Sequence, residues 1–204
     1  KKMRLPLNFL QSLKNFIISR CYKKASGRII PDEISENELI VRGIFTPLYY
    51  SKTRKELKEG AFLPPPKKGD RDVSVLRAEY ASDDFCKTHC FRIKINGQSF
   101  CGFATFLGKH IDELAIKHGL SQSIRLRFSP LQEDMRSLIT ERPVTTLHSG
   151  LPMHADIYYD NDFEPGKPQT KYRKFAKELA IKLAYYINDD YPESSQWLNE
   201  KLRW

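Results

Sequence analysis

The sequence predicts an α+β fold, with a central and mostly antiparallel sheet flanked by an N-terminal helix and a long C-terminal helix. Apolar residues recur at helical spacing near both ends of the chain, whereas strand-like runs collect in its middle. In addition, Asn96-Gly97 separates two runs of alternating residues, and this dipeptide is a strong signal for a β-hairpin. Because helices and strands are segregated along the chain, the pattern favours α+β over a regular βαβ alternation.

The first predicted element is an amphipathic helix within residues 1–25, followed by a single α+β domain over residues 26–204. Its apolar residues recur at helical spacing: Phe9, Leu10, Leu13, Phe16, Ile17 and Cys21. Its other side is basic, with Lys14, Arg20, Lys23 and Lys24. A basic amphipathic helix can lie on a membrane or bind a partner, but docking on its own domain is the commoner arrangement.

The predicted strands include residues 38–45, 73–77 and 124–128, and the end of residues 143–160. The hairpin would join residues 91–95 to residues 99–106 through Asn96-Gly97. After a polar loop, a long helix is predicted over residues 170–188 and a last short helix over residues 194–203.

The chain is basic, since 34 Lys and Arg residues face 25 Asp and Glu residues and give a formal net charge of +9. Such an excess favours anionic partners, namely DNA, RNA or a nucleotide, through long-range attraction. The alternative is a basic protein with no anionic partner, and net charge does not separate the two.

Cysteine usage and hydropathy predict a cytoplasmic protein. Cys21, Cys86, Cys90 and Cys101 follow no regular framework and no secretory leader is recognisable, which is typical of reduced thiols in a cytosol. No apolar run approaches the roughly 18 residues of a membrane span.

His154 and Asp156 form the most compact candidate site. Two residues apart in a strand, they point to the same face of the sheet. A carboxylate beside an imidazole can orient it, as in a general base or a metal ligand. The alternative is a hydrogen-bonded histidine with a turn aspartate. No motif identifies a cofactor.

Cys86 has two interpretations. Cys86 and Cys90 lack the spacing of a zinc knuckle, so no metal site is predicted, and burial as small hydrophobes is favoured. Alternatively, a Cys86 thiolate could join His154 and Asp156 in a catalytic triad for acyl transfer.

A set of cations predicts ligand binding, because arginine presents a planar fork that matches phosphate. Its members are Arg42, Arg77, Arg125, Arg127, Lys171 and Lys174. The alternative is that these side chains pair with the many carboxylates. The chain has no Walker loop, Gly-x-Gly-x-x-Gly, Gly-x-Ser-x-Gly or His-Glu-x-x-His motif, which argues against the standard nucleotide-binding, hydrolase and zincin classes.

Five short runs form a distinctive set: Arg42-Gly43-Ile44-Phe45, Ala61-Phe62-Leu63-Pro64-Pro65, Asp72-Val73-Ser74-Val75-Leu76-Arg77, Asp84-Phe85-Cys86-Lys87 and His154-Ala155-Asp156-Ile157. Over residues 38–160 the chain thereby resembles a group of uncharacterised prokaryotic proteins with no established activity. The resemblance implies a bacterial source and singles out Arg42, Arg77, Cys86, His154 and Asp156.

These observations lead to three functional hypotheses. The first is a bacterial cytosolic accessory or effector protein, in a defence or mobile-element system, that binds nucleic acid or a phosphate-bearing ligand. The second is a hydrolase or transferase centred on His154 and Asp156. The third is a structural subunit that docks on an acidic protein. The sequence alone does not decide whether the protein is an enzyme.

Overall fold

The computed structural model describes residues 27–66, 69–93, 96–140 and 143–187. The strands are β1 (Leu39–Thr46), β2 (Tyr50–Ser51), β3 (Glu56–Leu57), β4 (Asp72–Arg77), β5 (Ser99–Leu107), β6 (Ile124–Phe128), β7 (His154–Tyr159) and β8 (Ala184–Ile187). The helices are α1 (Asp83–Arg92), α2 (Gly108–Lys117) and α3 (Thr170–Lys182), with 3-10 turns at Glu59–Phe62 and Ala78–Tyr80. The predicted α+β class is confirmed.

Six strands form one sheet in the order β6-β7-β4-β1-β5-β8, and every described pair is antiparallel. Strands β2 and β3 form a separate two-stranded ribbon. No helix in the described part of the chain is both long and apolar enough to cross a membrane.

Helices cover both faces of the sheet, and the apolar residues of β1 point alternately into a core cluster on each face. Ile40 and Ile44 pack in a cluster that contains the buried faces of α2 and α3. Val41 and Phe45 pack in a second cluster, with Cys86 and Cys90 of α1. The two-residue period of a strand therefore separates an α2–α3 face from an α1 face.

Helix α1 occupies part of the strand that was predicted before the Asn96-Gly97 turn. Ser82 accepts a hydrogen bond from Phe85 N and starts α1, which continues through Phe91 and Arg92. Strand β5 then pairs with β1 and β8. Residues 94 and 95 lie outside the described residues, so the hairpin itself stays a prediction, but its first strand is wrong at Phe91 and Arg92. Gly97 does adopt a left-handed turn conformation, with φ +69°.

The C-terminal helix is shorter than the predicted span of residues 170–188. It ends at Lys182, and residues 184–187 form β8 instead. The sequence Ala184-Tyr185-Tyr186-Ile187 is rich in aromatic and β-branched residues, which favour a strand beside the open edge of β5. The predicted helices at residues 8–24 and 194–203 lie outside the described residues.

Arg77 holds the segment before β1 against the sheet. Its guanidinium donates through Nε and one terminal nitrogen to the two carboxylate oxygens of Glu38. It also donates to the carbonyl oxygens of Pro31 and Glu33. The Arg77 side chain is fully buried and that of Glu38 is 4% exposed, so this ion pair is part of the core.

We expect Arg77→Ala to lower the free energy of unfolding by about 3–5 kcal/mol, because it leaves the Glu38 carboxylate buried without a partner. Denaturation in urea measures the change. Arg28→Ala is the matched control, since the Arg28–Glu79 pair is exposed and such pairs contribute at most about 1 kcal/mol. Equal losses for the two variants would contradict a structural role for Arg77.

Candidate functional site

The candidate site lies on the α1 face of the sheet, where β4, β7 and β6 run side by side. In the strand register, Asp156 lies opposite Ser74 on one side and Arg127 on the other, and His154 lies opposite Leu76. Directly opposed residues project from the same face. The sheet therefore brings the hydroxyl, carboxylate, guanidinium and imidazole groups of four separate positions to one surface.

The His154 side chain is 5% exposed. Its Nδ1 lies 2.7 Å from the carbonyl oxygen of Ser129 and 3.0 Å from the Ser129 hydroxyl. Because a carbonyl only accepts, Nδ1 carries the proton, and Nε2 is left with a lone pair. Nε2 is buried and has no hydrogen-bond partner among the described residues.

Burial is the main cause that lowers the pKa of His154, and the nearby Asp156 carboxylate opposes it. The Asp156 Oδ1 atom is 3.7 Å from His154 Nε2, which is beyond a direct hydrogen bond. The ring is therefore neutral at pH 7, with a carboxylate close enough to stabilise it once it gains a proton.

Asp156 belongs to a partly buried group of charges. Its side chain is 8% exposed, and Oδ2 lies 3.7 Å from Arg127, which also contacts Asp72 at 3.1 Å. Burial, and after it the Asp156 carboxylate, raise the pKa of Asp72. One guanidinium is thus shared between two carboxylates.

Arg42 enters the site from β1. Strands β1 and β4 pair only at Ile40–Arg77 and Val41–Leu76. Beyond these pairs the half-buried Arg42 side chain donates to the Ser74 carbonyl at 2.6 Å and to the Ala61 carbonyl at 3.2 Å. Side-chain bonds therefore replace the missing strand ladder.

A cavity of about 50 Å³ occupies this gap, and its lining includes Arg42, Ser74, His89, Cys90 and His154. Its roof is α1, which approaches β1 closely at Gly43, where an added Cβ would lie 2.8 Å from Cys90 Sγ. His89 also lines a larger pocket of about 370 Å³ between α1 and the chain before β7. Burial, then the charge of His154, lower the pKa of His89.

The structure argues against a nucleophilic Cys86. Its side chain is fully buried, and burial, followed by the charge of Asp83, raises its pKa to about 12. A thiol with this pKa stays protonated at neutral pH and is a poor nucleophile. The favoured interpretation, packing of Cys86 and Cys90 against the sheet, is the arrangement observed. Within the described residues, no three His, Cys, Asp or Glu side chains form a metal-binding group.

The predicted cation set does not collect on one surface. Arg77 is buried in the core, where its guanidinium pairs with Glu38, so it is not exposed to a ligand. Arg125 and Arg127 both lie over the Tyr158 ring, at 5.3 and 4.5 Å from its centroid. Lys171 and Lys174 lie on α3, which packs on the other face of the sheet. Of the set, Arg42 alone shares the cavity with His154.

The excess positive charge lies mainly outside the described residues. The first 26 residues contain seven Lys and Arg and no Asp or Glu. The described residues contain 21 Lys and Arg against 20 Asp and Glu, a net charge of +1. The described domain therefore has no general attraction for anions.

Ser74 and His89 are the site residues that sequence reasoning missed. The alternation of Val73-Ser74-Val75 places Ser74 opposite the apolar face, and its exposure is observed. Its position beside Asp156, however, depends on the pairing of strands 80 residues apart. His89 is brought in by the packing of α1, and no local signal marks it.

No protein-family model, curated protein or solved structure matches the chain. The resemblance to a prokaryotic group therefore stays a prediction, and any functional conclusion depends on the geometry described above.

We expect the free energy of unfolding to fall as the pH drops below 6.5, the ordinary pKa of histidine. In that range the unfolded chain binds a proton that His154, with its lowered pKa, does not bind in the folded state. Denaturation from pH 8 to pH 5.5 measures this dependence.

The His154→Gln variant should lose part of this acid sensitivity, because glutamine does not titrate. His89 also has a lowered pKa, so His89→Gln should remove a separate part. An unchanged pH dependence in His154→Gln would contradict a neutral, buried His154.

Proposed function

We propose that the protein is a hydrolase or transferase in which His154 acts as the general base. The observation that supports the proposal is the buried Nε2 lone pair, which has no partner in the described residues and belongs to a ring that lines a cavity with Ser74 and Arg42. A buried acceptor without a partner is costly to folding, and such costs persist mainly where a function requires them.

The proposed first step is a proton transfer to His154 Nε2. The donor is the Ser74 hydroxyl or a water molecule in the same cavity, and its oxygen attacks the substrate as the proton leaves. The Ser129 carbonyl keeps the ring oriented through Nδ1. The charge of Asp156, whose Oδ1 lies 3.7 Å from Nε2, stabilises the imidazolium that forms.

The surroundings favour a small substrate with a carbonyl or phosphoryl group. Arg42 adds positive charge beside the cavity, where it can stabilise the negative charge that develops on the attacked group. The pocket next to His89, of about 370 Å³, has the size of a small-molecule site. In the second step the leaving group takes the proton from the imidazolium as its bond to carbon or phosphorus breaks.

Replacement of the general base should remove turnover without unfolding the domain. We expect His154→Ala to lower kcat/KM by about 10²–10⁴-fold on a panel of chromogenic acyl esters and phosphate esters. His118→Ala is the matched control, because His118 pairs with Glu178 outside the cavity. Absence of turnover by the wild type, or equal turnover by His154→Ala, contradicts the proposal.

Ser74→Ala distinguishes the two proton donors. A loss as large as that of His154→Ala indicates a covalent intermediate on Ser74, whereas a small loss indicates direct attack by water. In either case the acid limb of kcat/KM should lie below pH 6.5, because burial lowers the pKa of the base.

A second proposal is favoured by the distribution of charge: the segment 1–26 binds nucleic acid or another phosphate-bearing ligand. It alone supplies seven of the net nine positive charges. In this proposal the protein is an accessory or effector subunit of a bacterial defence or mobile-element system. An acidic protein surface is the competing partner for the same segment.

Electrophoretic shift with duplex DNA and with RNA tests this second proposal at increasing salt. Replacement of Lys14, Arg20, Lys23 and Lys24 by Gln should weaken binding and flatten its salt dependence, because fewer counterions are released. Replacement of Lys171 and Lys174 on α3 by Gln is the control and should have little effect. Equal effects of the two variants, or no shift at low salt, would falsify a role for the segment.

A further inference from the structure

A groove of about 1080 Å³ runs along the outer edge of β6. Strand β6 is the last strand of the sheet and pairs only with β7 among the described strands. Ser129 N donates to His154 O, and Asp160 N donates to Ser123 O. In an antiparallel pair, every second residue directs its N–H and C=O groups towards the partner strand. Because Ser123 and Ser129 bond to β7, the N–H and C=O groups of Leu126 and Phe128 point away from β7 and face the groove.

The groove combines apolar and acidic walls. Ile29 and Ile139 line it with 61% and 88% of their surface exposed, which is unusual for isoleucine. Asp32, Glu33, Glu36 and Asp112 supply the acidic lining. None of these four carboxylates forms an ion pair within the described part of the chain. Burial, and then the charge of Glu36, raise the pKa of Asp112.

The groove also contains two arginines, but both are engaged elsewhere. Arg127 contacts Asp72 and Asp156, and Arg125 lies over the Tyr158 ring on the α1 face. The four carboxylates therefore make the electrostatic potential negative on the wall that faces β6. A cationic occupant with apolar side chains fits this lining best.

We propose that the occupant of this groove is the chain's own N-terminal segment, residues 1–26. The segment has seven basic side chains and no acidic one. Its apolar residues, from Phe9 to Ile17, match the exposed Ile29 and Ile139. An open strand edge is commonly protected by a covering helix or loop, and this segment supplies one.

The attachment point of the segment lies at the groove. Ile29 bridges to Thr145, and Ile30 N donates to Val144 O. These bonds fix the start of the described chain against the groove wall, so residues 1–26 are tethered there at a high effective concentration. A second copy's folded domain is a poorer occupant, since its described residues carry a net charge of only +1.

Cys21 gives a direct test in the full chain. Cys86, Cys90 and Cys101 are buried, and the pKa values of Cys86 and Cys90 are raised to about 12, so a thiol-reactive spin label should attach selectively at Cys21. We expect paramagnetic broadening of the amide signals of residues 32–36, Asp112 and Ile139. The ribbon of β2 and β3, at the other end of β1, should keep its intensity.

Charge reversal gives the matched comparison. Glu36→Lys with Asp112→Lys should restore the groove signals, and added Lys23→Glu and Lys24→Glu should broaden them again. Glu113→Lys with Glu164→Lys changes the charge equally outside the groove lining and should leave the broadening intact. A second label position, Ser12→Cys in a Cys21→Ser background, guards against interference by the label itself.

Three outcomes overturn the proposal. The first is an absence of broadening at the groove with both label positions. The second is broadening that persists after charge reversal at Glu36 and Asp112. The third is broadening of the groove signals in unlabelled ¹⁵N protein after it is mixed with spin-labelled protein. This result would assign the groove to a second copy. The readout is independent of turnover and of nucleic-acid binding.

Discussion

The separation of β1 from β4 is the constraint on which the candidate site depends. Two central strands that stay paired leave no space between them, but these two part after Val41 and Leu76. The Arg42 guanidinium satisfies the Ser74 carbonyl, which a ladder would otherwise bond, and also the Ala61 carbonyl of the Glu59–Phe62 turn. This arrangement holds the positive charge of the Arg42 guanidinium close to the sheet. Its consequence is a small and mainly apolar cavity into which a few polar residues, Arg42, Ser74, His89 and His154, are brought.

Charge in this protein is divided between two roles. Within the described domain, acidic and basic side chains nearly balance, and the buried ones act over short distances at His154, Asp156 and Glu38. The first 26 residues carry most of the excess. The two proposals for this segment call on the same cations, so docking of the segment in the groove would oppose binding of nucleic acid.

Local sequence patterns predicted most strands and the α3 helix as far as Lys182, because alternation and helical period are properties of neighbouring residues. They failed at Phe91–Arg92, where an alternating run continues a helix already started at Ser82, and at residues 184–187, where the open edge of β5 favours a strand. His154 and Asp156 were found because they share one strand. The positions of Ser74 and His89 in the site, and the burial of Arg77 in its ion pair with Glu38, depend on pairing and packing between distant parts of the chain. No local pattern contains that information.

Arg127 lies between the groove and the α1 face of the sheet. Its guanidinium lines the groove and also lies 3.7 Å from Asp156. An occupant that attracts this guanidinium removes positive charge from Asp156, and the Asp156 carboxylate then stabilises the His154 imidazolium more strongly. A cationic occupant has the opposite effect, since it repels Arg127 towards Asp72 and Asp156. We therefore expect the sign of the charge in the groove to influence the basicity of His154 through Arg127.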